Sequence, residues 1–206
     1  MADLLEQLND ETAALLEGVQ RSLVEIRNGR GGVGSGIIWH PSGLIVTNAH
    51  VIGRGPLRII SKDGHDLTPR VLAYDAHNDV AALTVGAKGL PAVEIGDSRQ
   101  LQAGQLVFAI GHPWGVAGAV TAGIVVGAQP ETLGMPSDGR EWIVASLQLR
   151  PGHSGGPLVD AGGRLVGINT MINGPDIGLA LPVHVVKDFL ARATAPLESR
   201  SWIKIA

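Results

Sequence analysis

Residues 152–157 read Gly152-His153-Ser154-Gly155-Gly156-Pro157. A serine between glycines on a tight turn keeps its hydroxyl accessible and leaves nearby backbone N–H groups free to point into a cavity. Those are two of the three needs of acyl-transfer chemistry, a nucleophile and an oxyanion hole. The third is a base. Upstream, Thr47-Asn48-Ala49-His50-Val51 offers an imidazole, and Asn78-Asp79-Val80-Ala81-Ala82-Leu83 offers a carboxylate at the head of an apolar run. Alone, a Ser-Gly-Gly-Pro segment reads as well as a hairpin turn. Three such motifs in the order His, Asp, Ser, each beside an apolar run, point to a nucleophilic hydrolase.

The composition sets the frame around these motifs. A chain of 206 residues makes one large domain or two small lobes, and 45% hydrophobic residues suffice for a core. The 29 glycines and 12 prolines, set between short Val/Ile/Leu runs, favour an all-β sandwich or barrel over a helical bundle. A net charge of −3 carries no basic footprint for nucleic acid. The absence of cysteine excludes disulfides and thiolate metal sites and fits a reducing compartment. The remaining histidines, His40, His65, His77, His112, His153 and His184, show no metal-ligand spacing, so neither metal nor cofactor is expected. The acidic start Met1-Ala2-Asp3-Leu4-Leu5-Glu6 is not a signal peptide, and no apolar run approaches the roughly 20 residues of a membrane span. The chain as it stands reads as cytoplasmic; removal of a leader would make it extracytoplasmic.

Leu4, Leu8, Leu15 and Val19 recur at helical spacing, which predicts a helix over about 3–18. Its apolar stripe must lie on its own barrel or on a neighbouring subunit. Alternation begins at 22–27 with the first strand. Gly29 to Gly36 is a glycine loop without the Gly-Lys-Ser/Thr ending of a phosphate cradle, so it reads as a hairpin connection. Strands are expected at 57–61, 67–74, 80–85, 92–95, 105–110, 119–128, 141–148, 157–160 and 164–171, and a closing helix from Pro182 to Arg192 with Val185, Val186, Phe189 and Leu190 on one face. This divides the chain into a helical extension (1–20), a main domain (21–192, with one barrel at about 21–95 and another at about 100–181) and a tail (193–206).

With these residues in hand, the chain resembles the HtrA (Deg-type) serine proteases of the trypsin-like superfamily. The resemblance rests on Gly34-Ser35-Gly36, on the His50 and Asp79 motifs, on Gly96-Asp97-Ser98 and on Ala109-Ile110-Gly111-His112-Pro113. It continues through Thr121-Ala122-Gly123-Ile124-Val125, the Ser154 motif, Gly167-Ile168-Asn169-Thr170 and Gly178-Leu179-Ala180-Leu181-Pro182. It implies two perpendicular six-stranded antiparallel β-barrels with the site in the cleft between them. Ser154 would be the nucleophile, His50 the general base and then acid, and Asp79 the group that orients His50. The N–H groups of Gly152 and Ser154 would form the oxyanion hole. The pocket would be lined by Gln148 and Leu149 before the nucleophile and by Thr170, Met171 and Ile172 after it. Substrate backbone would pair near 168–172, a stretch that includes Ile168 and Asn169. With no acid among the pocket residues, cleavage is expected after small or medium apolar residues of unfolded or extended polypeptides. The rival reading is a peptide-binding or chaperone module whose oxyanion loop is collapsed at rest. Relatives of this kind commonly form trimers through N-terminal segments, which makes a homo-oligomer through the 3–18 helix plausible.

Three departures stand out. His153 occupies a position usually held by asparagine, so its protonation near pH 6.5 is expected to affect the oxyanion loop. Ser146-Leu147-Gln148-Leu149-Arg150 replaces a commoner Asp-Ala-x-Ile-Asn. The sequence ends about where the peptide-binding PDZ domain usual in such relatives would start, so either the protein lacks one or this is a segment of a longer chain.

Overall fold

The computed structural model describes residues 2–29, 31–127, 139–174 and 176–194. The expected end of a strand at residue 128 and the tail from 195 to 206 lie outside the described residues. Helix α1 (Ala2–Gln20) seats only its second half. Leu16 and Val19 pack on Leu23, Phe108, Ile110 and Val159, whereas Leu4, Leu5 and Leu8 are 57–69% exposed. The helix therefore lies on its own domain at one end and presents an apolar stripe to the outside at the other.

The first sheet comprises β1 (Leu23–Asn28), β2 (Val33–His40), β3 (Leu44–Thr47), β4 (Leu57–Ser61), β5 (Asp66–Leu67), β6 (Pro69–Asp75) and β7 (Val80–Val85), in the order β5-β4-β1-β2-β3-β7-β6. Six strands were expected and seven are found, because one expected strand is split. Pro69 has no N–H to give to a ladder and begins β6, so pairing passes from β4 to β7 across Thr68. The two edge strands are thus consecutive in the chain, and the sheet curls until its edges are joined covalently. The second sheet comprises β8 (Leu106–Gly111), β9 (Ala119–Gly127), β10 (Ile143–Ser146), β11 (Pro157–Asp160), β12 (Leu165–Ile172) and β13 (Ile177–Pro182). It closes into a barrel in the order β10-β13-β12-β11-β8-β9, and helix α3 (Val183–Thr194) follows directly.

The segment at 92–95, expected as a strand, instead crosses between the barrels. The Val93 N–H donates to Ile38 O (3.0 Å) in the first. Glu94 O accepts from Leu165 N (2.8 Å) and Gly96 N donates to Leu165 O (2.9 Å) in the second. Its backbone groups are used up stitching two sheets together, so it joins neither ladder.

Among the described residues, three of the apolar clusters set the two barrels and the contact between them. Ile26, Ile38, Ile45, Ile59 and Leu83 fill the first barrel, and Val107, Ala109, Val125 and Leu158 the second. Between them lies a third that joins Ile37, Val46 and Ala82 to Ile168, Leu181, Val186 and Phe189. Successive strand residues face opposite sides. Ile37 and Ile38, Ile45 and Val46, and Ala82 and Leu83 therefore serve different cores, which is why β3 and β7 read as unbroken apolar runs rather than alternating ones.

Phe189 anchors the third core and is fully buried. Phe189→Ala should cost about 3–5 kcal/mol of unfolding free energy, read from the denaturant midpoint; a loss under about 1 kcal/mol would show α3 to be peripheral to the fold.

Candidate active site

The first barrel supplies an imidazole and a carboxylate. β3 ends at Thr47, the buried Asn48 remains extended, and a single helical turn, α2 (Ala49–Ile52), lifts His50 to the surface. Asp79 ends the turn before β7 in the left-handed region (φ 54°), a conformation that costs a non-glycine residue on the order of 1 kcal/mol. The turn that holds it there is closed by Asp75, whose Oδ1 accepts from the backbone N–H groups of His77 (2.9 Å) and Asn78 (3.1 Å). Both Asp79 oxygens are then engaged by one residue. Oδ1 accepts from the His50 backbone N–H at 2.9 Å, and Oδ2 lies 2.7 Å from His50 Nδ1. An ionised carboxylate can only accept, so Nδ1 carries the proton and Nε2 is left as the ring's lone-pair nitrogen. The ring is half exposed and the carboxylate largely buried.

The second barrel supplies the serine turn, and only glycine fits at three of its positions; a Cβ at Gly156 would strike Ile110 O. At Gly155 (φ +83°) a Cβ would strike Ser35 O and Thr47 Oγ1 of the first barrel; at Gly152 (φ +106°) it would strike His112 O. The close approach lets Ser35 N donate to Ser154 O (2.8 Å) across the barrels, and Thr47 Oγ1 donates to Ser35 O (2.7 Å) from the strand that leads to His50. Asn169 bolts the turn from the other side. Its backbone O accepts from Gly155 N (2.8 Å), its N–H donates to Gly156 O (2.9 Å), and its Nδ2 donates to Pro157 O (2.9 Å).

Thr170 links the halves. Its carbonyl accepts from Ser154 Oγ at 3.1 Å, and its Oγ1 accepts from Asn48 Nδ2 at 3.0 Å. The same Asn48 amide donates to Asp79 O at 2.8 Å. The structure thus brings His50, Asp79 and Ser154 to one seam, but the serine hydroxyl is turned to Thr170 O and not to the His50 ring.

The loop before the serine is set by its carbonyls. Pro151 O accepts from Trp114 N (3.3 Å). A trans peptide holds C=O and N–H antiparallel, so the Gly152 N–H points away from the Pro113–Gly115 turn. Among the described residues neither Gly152 N nor Ser154 N has an acceptor. Arg150 reaches from this loop over the Trp114 ring (5.8 Å) and donates to Gln148 Oε1 (2.7 Å), and Gln148 donates to Asp176 Oδ1 (3.1 Å).

The residues expected to contact substrate divide. Gln148 is exposed, whereas Leu149 is buried with Leu147 and Val125 in the second-barrel core. Ile168 belongs to the core between the barrels, and Asn169 and Thr170 hold the serine turn. Met171 and Ile172 are the accessible members after the serine turn; they pair with β13 on one side, while pairing with β11 stops at Ile168 on the other. Sequence reading missed Asn48, Ser35 and the His112–Trp114 turn as a supporting frame. Asn48, Ser35 and His112 sit inside quoted motifs, but no periodicity says that their side chains converge.

A family described as the trypsin-like peptidase domain matches residues 34–168. The chain is similar to HhoB of Synechocystis (38% identity, 76% of this chain and 39% of that protein). It is likewise similar to the chloroplastic protease Do-like 1 of Arabidopsis thaliana (39%; 75% and 38%) and to serine protease HTRA1 of Xenopus laevis (37%; 78% and 36%). The chain spans under two fifths of the length of these relatives.

His153 and His112 bear on pH dependence. His153 Nδ1 lies 3.0 Å from Arg150 N and 3.2 Å from Arg150 O, and its Nε2 is buried with no partner among the described residues. Burial holds His153 below the ordinary 6.5, with the Arg150 charge adding to the effect and a backbone bond to Arg150 opposing it. Burial likewise lowers His112, with Glu25 of β1 working upward and His153 downward. The titration of His153 expected near pH 6.5 therefore moves to more acid pH. The unfolded chain takes up these protons first as pH falls, so stability is full above the unfolded value and is lost toward the folded ones. The urea midpoint should drop between about pH 7.5 and about pH 5, and by less in His153→Asn; an undiminished drop in that variant would remove His153 from the account.

Proposed function

The chain belongs to the trypsin-like peptidase domain family, and on that premise we propose that it is a serine endopeptidase acting on unfolded or extended polypeptides. The observation that carries this reading is the imidazole–carboxylate pair of His50 and Asp79, joined through Asn48 and Thr170 to the hydroxyl of Ser154. In the reaction the Ser154 hydroxyl leaves Thr170 O and gives its proton to His50 Nε2 as its oxygen attacks the scissile carbonyl. His50 then delivers that proton to the leaving amine, and water repeats the sequence to release the acyl group. Asp79 stabilises the imidazolium from the Nδ1 side. The unpartnered N–H groups of Gly152 and Ser154 suit the oxyanion.

Substrate enters as an added strand along the open side of 170–172. The residue before the scissile bond is small or medium and apolar, recognised beside Met171 and Ile172, with Gln148 at the pocket's rim. One observation favours the rival reading of a resting, peptide-binding state: the serine hydroxyl is bonded to Thr170 O. The exposed Leu4, Leu5 and Leu8 support association of copies, a trimer included, through α1.

A fluorophosphonate probe separates the two readings. Labelling of the wild type that disappears in Ser154→Ala supports the enzyme, and an unlabelled wild type supports the binder. A peptide-library profile led by Val, Ala or Leu at the cleaved position is expected; one led by Lys or Arg would defeat the pocket assignment. Sedimentation should show an assembly that Leu5→Glu with Leu8→Glu dissociates, and a monomeric wild type would end the proposal for α1.

A further inference from the structure

The oxyanion loop is held from a direction the proposed reaction does not explain. Gly152 O, one peptide before the serine, accepts from two donors. The backbone N–H of His112 lies at 3.0 Å and the hydroxyl of Ser35 at 2.8 Å. Ser35 Oγ also lies 3.0 Å from His112 Nδ1 and accepts from His112 N at 3.1 Å. Ser35 is fully buried and His112 is 6% exposed.

Proton counting fixes the directions. A serine hydroxyl has one proton. Given to Gly152 O, it is not available to the imidazole, so His112 Nδ1 must carry its own proton and donate it to Ser35 Oγ. The result is a directed chain, His112 Nδ1–H to Ser35 O–H to the Gly152 carbonyl, in which each bond polarises the next. The next peptide along the loop joins Gly152 C=O to His153 N–H, and it is pinned at its other end by His153 N donating to Arg150 O (2.9 Å). The peptide before it is pinned by Trp114 N on Pro151 O (3.3 Å). Both peptides flanking Gly152 are therefore held by the same turn, residues 112–114, and the side chain of His112 supplies the part that acts through Ser35.

We propose that His112 is a positioning residue for the oxyanion loop, acting through the Ser35 hydroxyl on the Gly152 carbonyl to hold the Gly152 and Ser154 N–H groups in the orientation that donates to an oxyanion. The inference rests on the peptidase reading for its kinetic consequence, but the chain of hydrogen bonds exists without it. Neither His112 nor Ser35 touches the reacting atoms. Ser35 lies on β2 of the first barrel and the loop on the second, so the relay makes a competent oxyanion hole conditional on the docking of the barrels.

The phosphoryl oxygen of a fluorophosphonate occupies the oxyanion hole as Ser154 is modified, so the limiting labelling rate of the full chain reads the loop directly. His112→Phe removes the donor and should slow limiting labelling by about tenfold to a hundredfold, below the loss of a whole oxyanion donor, with half-saturation changed by less than about twofold. His112→Asn places an amide N–H near the Nδ1 position and should recover most of the rate, which a purely packing role would not predict. Ser35→Ala should match His112→Phe, and the double variant should be no slower than either alone. Wild-type rates in His112→Phe, equal slowing in His112→Asn, or multiplying effects in the double variant would each overturn the proposal. NMR of the His112 Nδ1–H keeps the test independent of folding failures and of the peptidase reading. A slowly exchanging Nδ1 proton whose resonance shifts in Ser35→Ala supports the relay even if the wild type takes up no probe, and a proton found only on Nε2 overturns it.

Discussion

The two barrels meet where Gly155 passes over Ser35 and Thr47 with no room for a side chain. Everything at the site follows from that contact. It lets Ser35 N hold Ser154 O, puts the Ser35 hydroxyl against Gly152 O, and sets the serine turn beside the strand that delivers His50. A β-carbon at Gly155 would push the barrel that bears Ser154 away from the barrel that bears His50, and the left-handed backbone there would resist it as well. The contact is polar and local. The apolar core of Ile37, Val46, Ile168 and Phe189 beneath it keeps the barrels pressed together, so burial supplies the force and the hydrogen bonds supply the register.

Asn48 and Thr170 convert that docking into geometry around Asp79 and Ser154. One amide donates to both Asp79 O and Thr170 Oγ1, and the carbonyl of the same threonine receives the serine hydroxyl. Such buried, shared hydrogen bonds are expensive to leave unmade, and that makes the arrangement specific rather than merely stable. Asp79 adds the complementary device. Its left-handed conformation is tolerated because the Asp75 turn over-determines it, and it aims both carboxylate oxygens at one residue.

Much of this was legible from one dimension. The helices at either end, most strands, and the His50, Asp79 and Ser154 motifs came from spacing and residue type, because alternation, helical periodicity and glycine-rich turns are local consequences of backbone sterics. The failures are equally physical. The segment 92–95 has a strand's composition, but its N–H and C=O groups are spent on two different sheets. The run 67–74 reads as one strand, but Pro69 divides its pairing between neighbours. Leu149 stands at a pocket position by count but faces the barrel interior, since the chain before the serine turn also closes the second core.

What the order of residues settled alone was the inventory: two all-β lobes, a serine turn rich in glycine on one, and an imidazole and a carboxylate on the other. These are properties of single residues and near neighbours. Only the folded molecule decided which carbonyl Ser154 faces, which way the Gly152 peptide turns, and that His112 stands behind Ser35. Those depend on groups 16 to 117 positions apart in the chain, and hydrogen-bond direction at such separation is decided by packing, which leaves no periodic mark on the sequence.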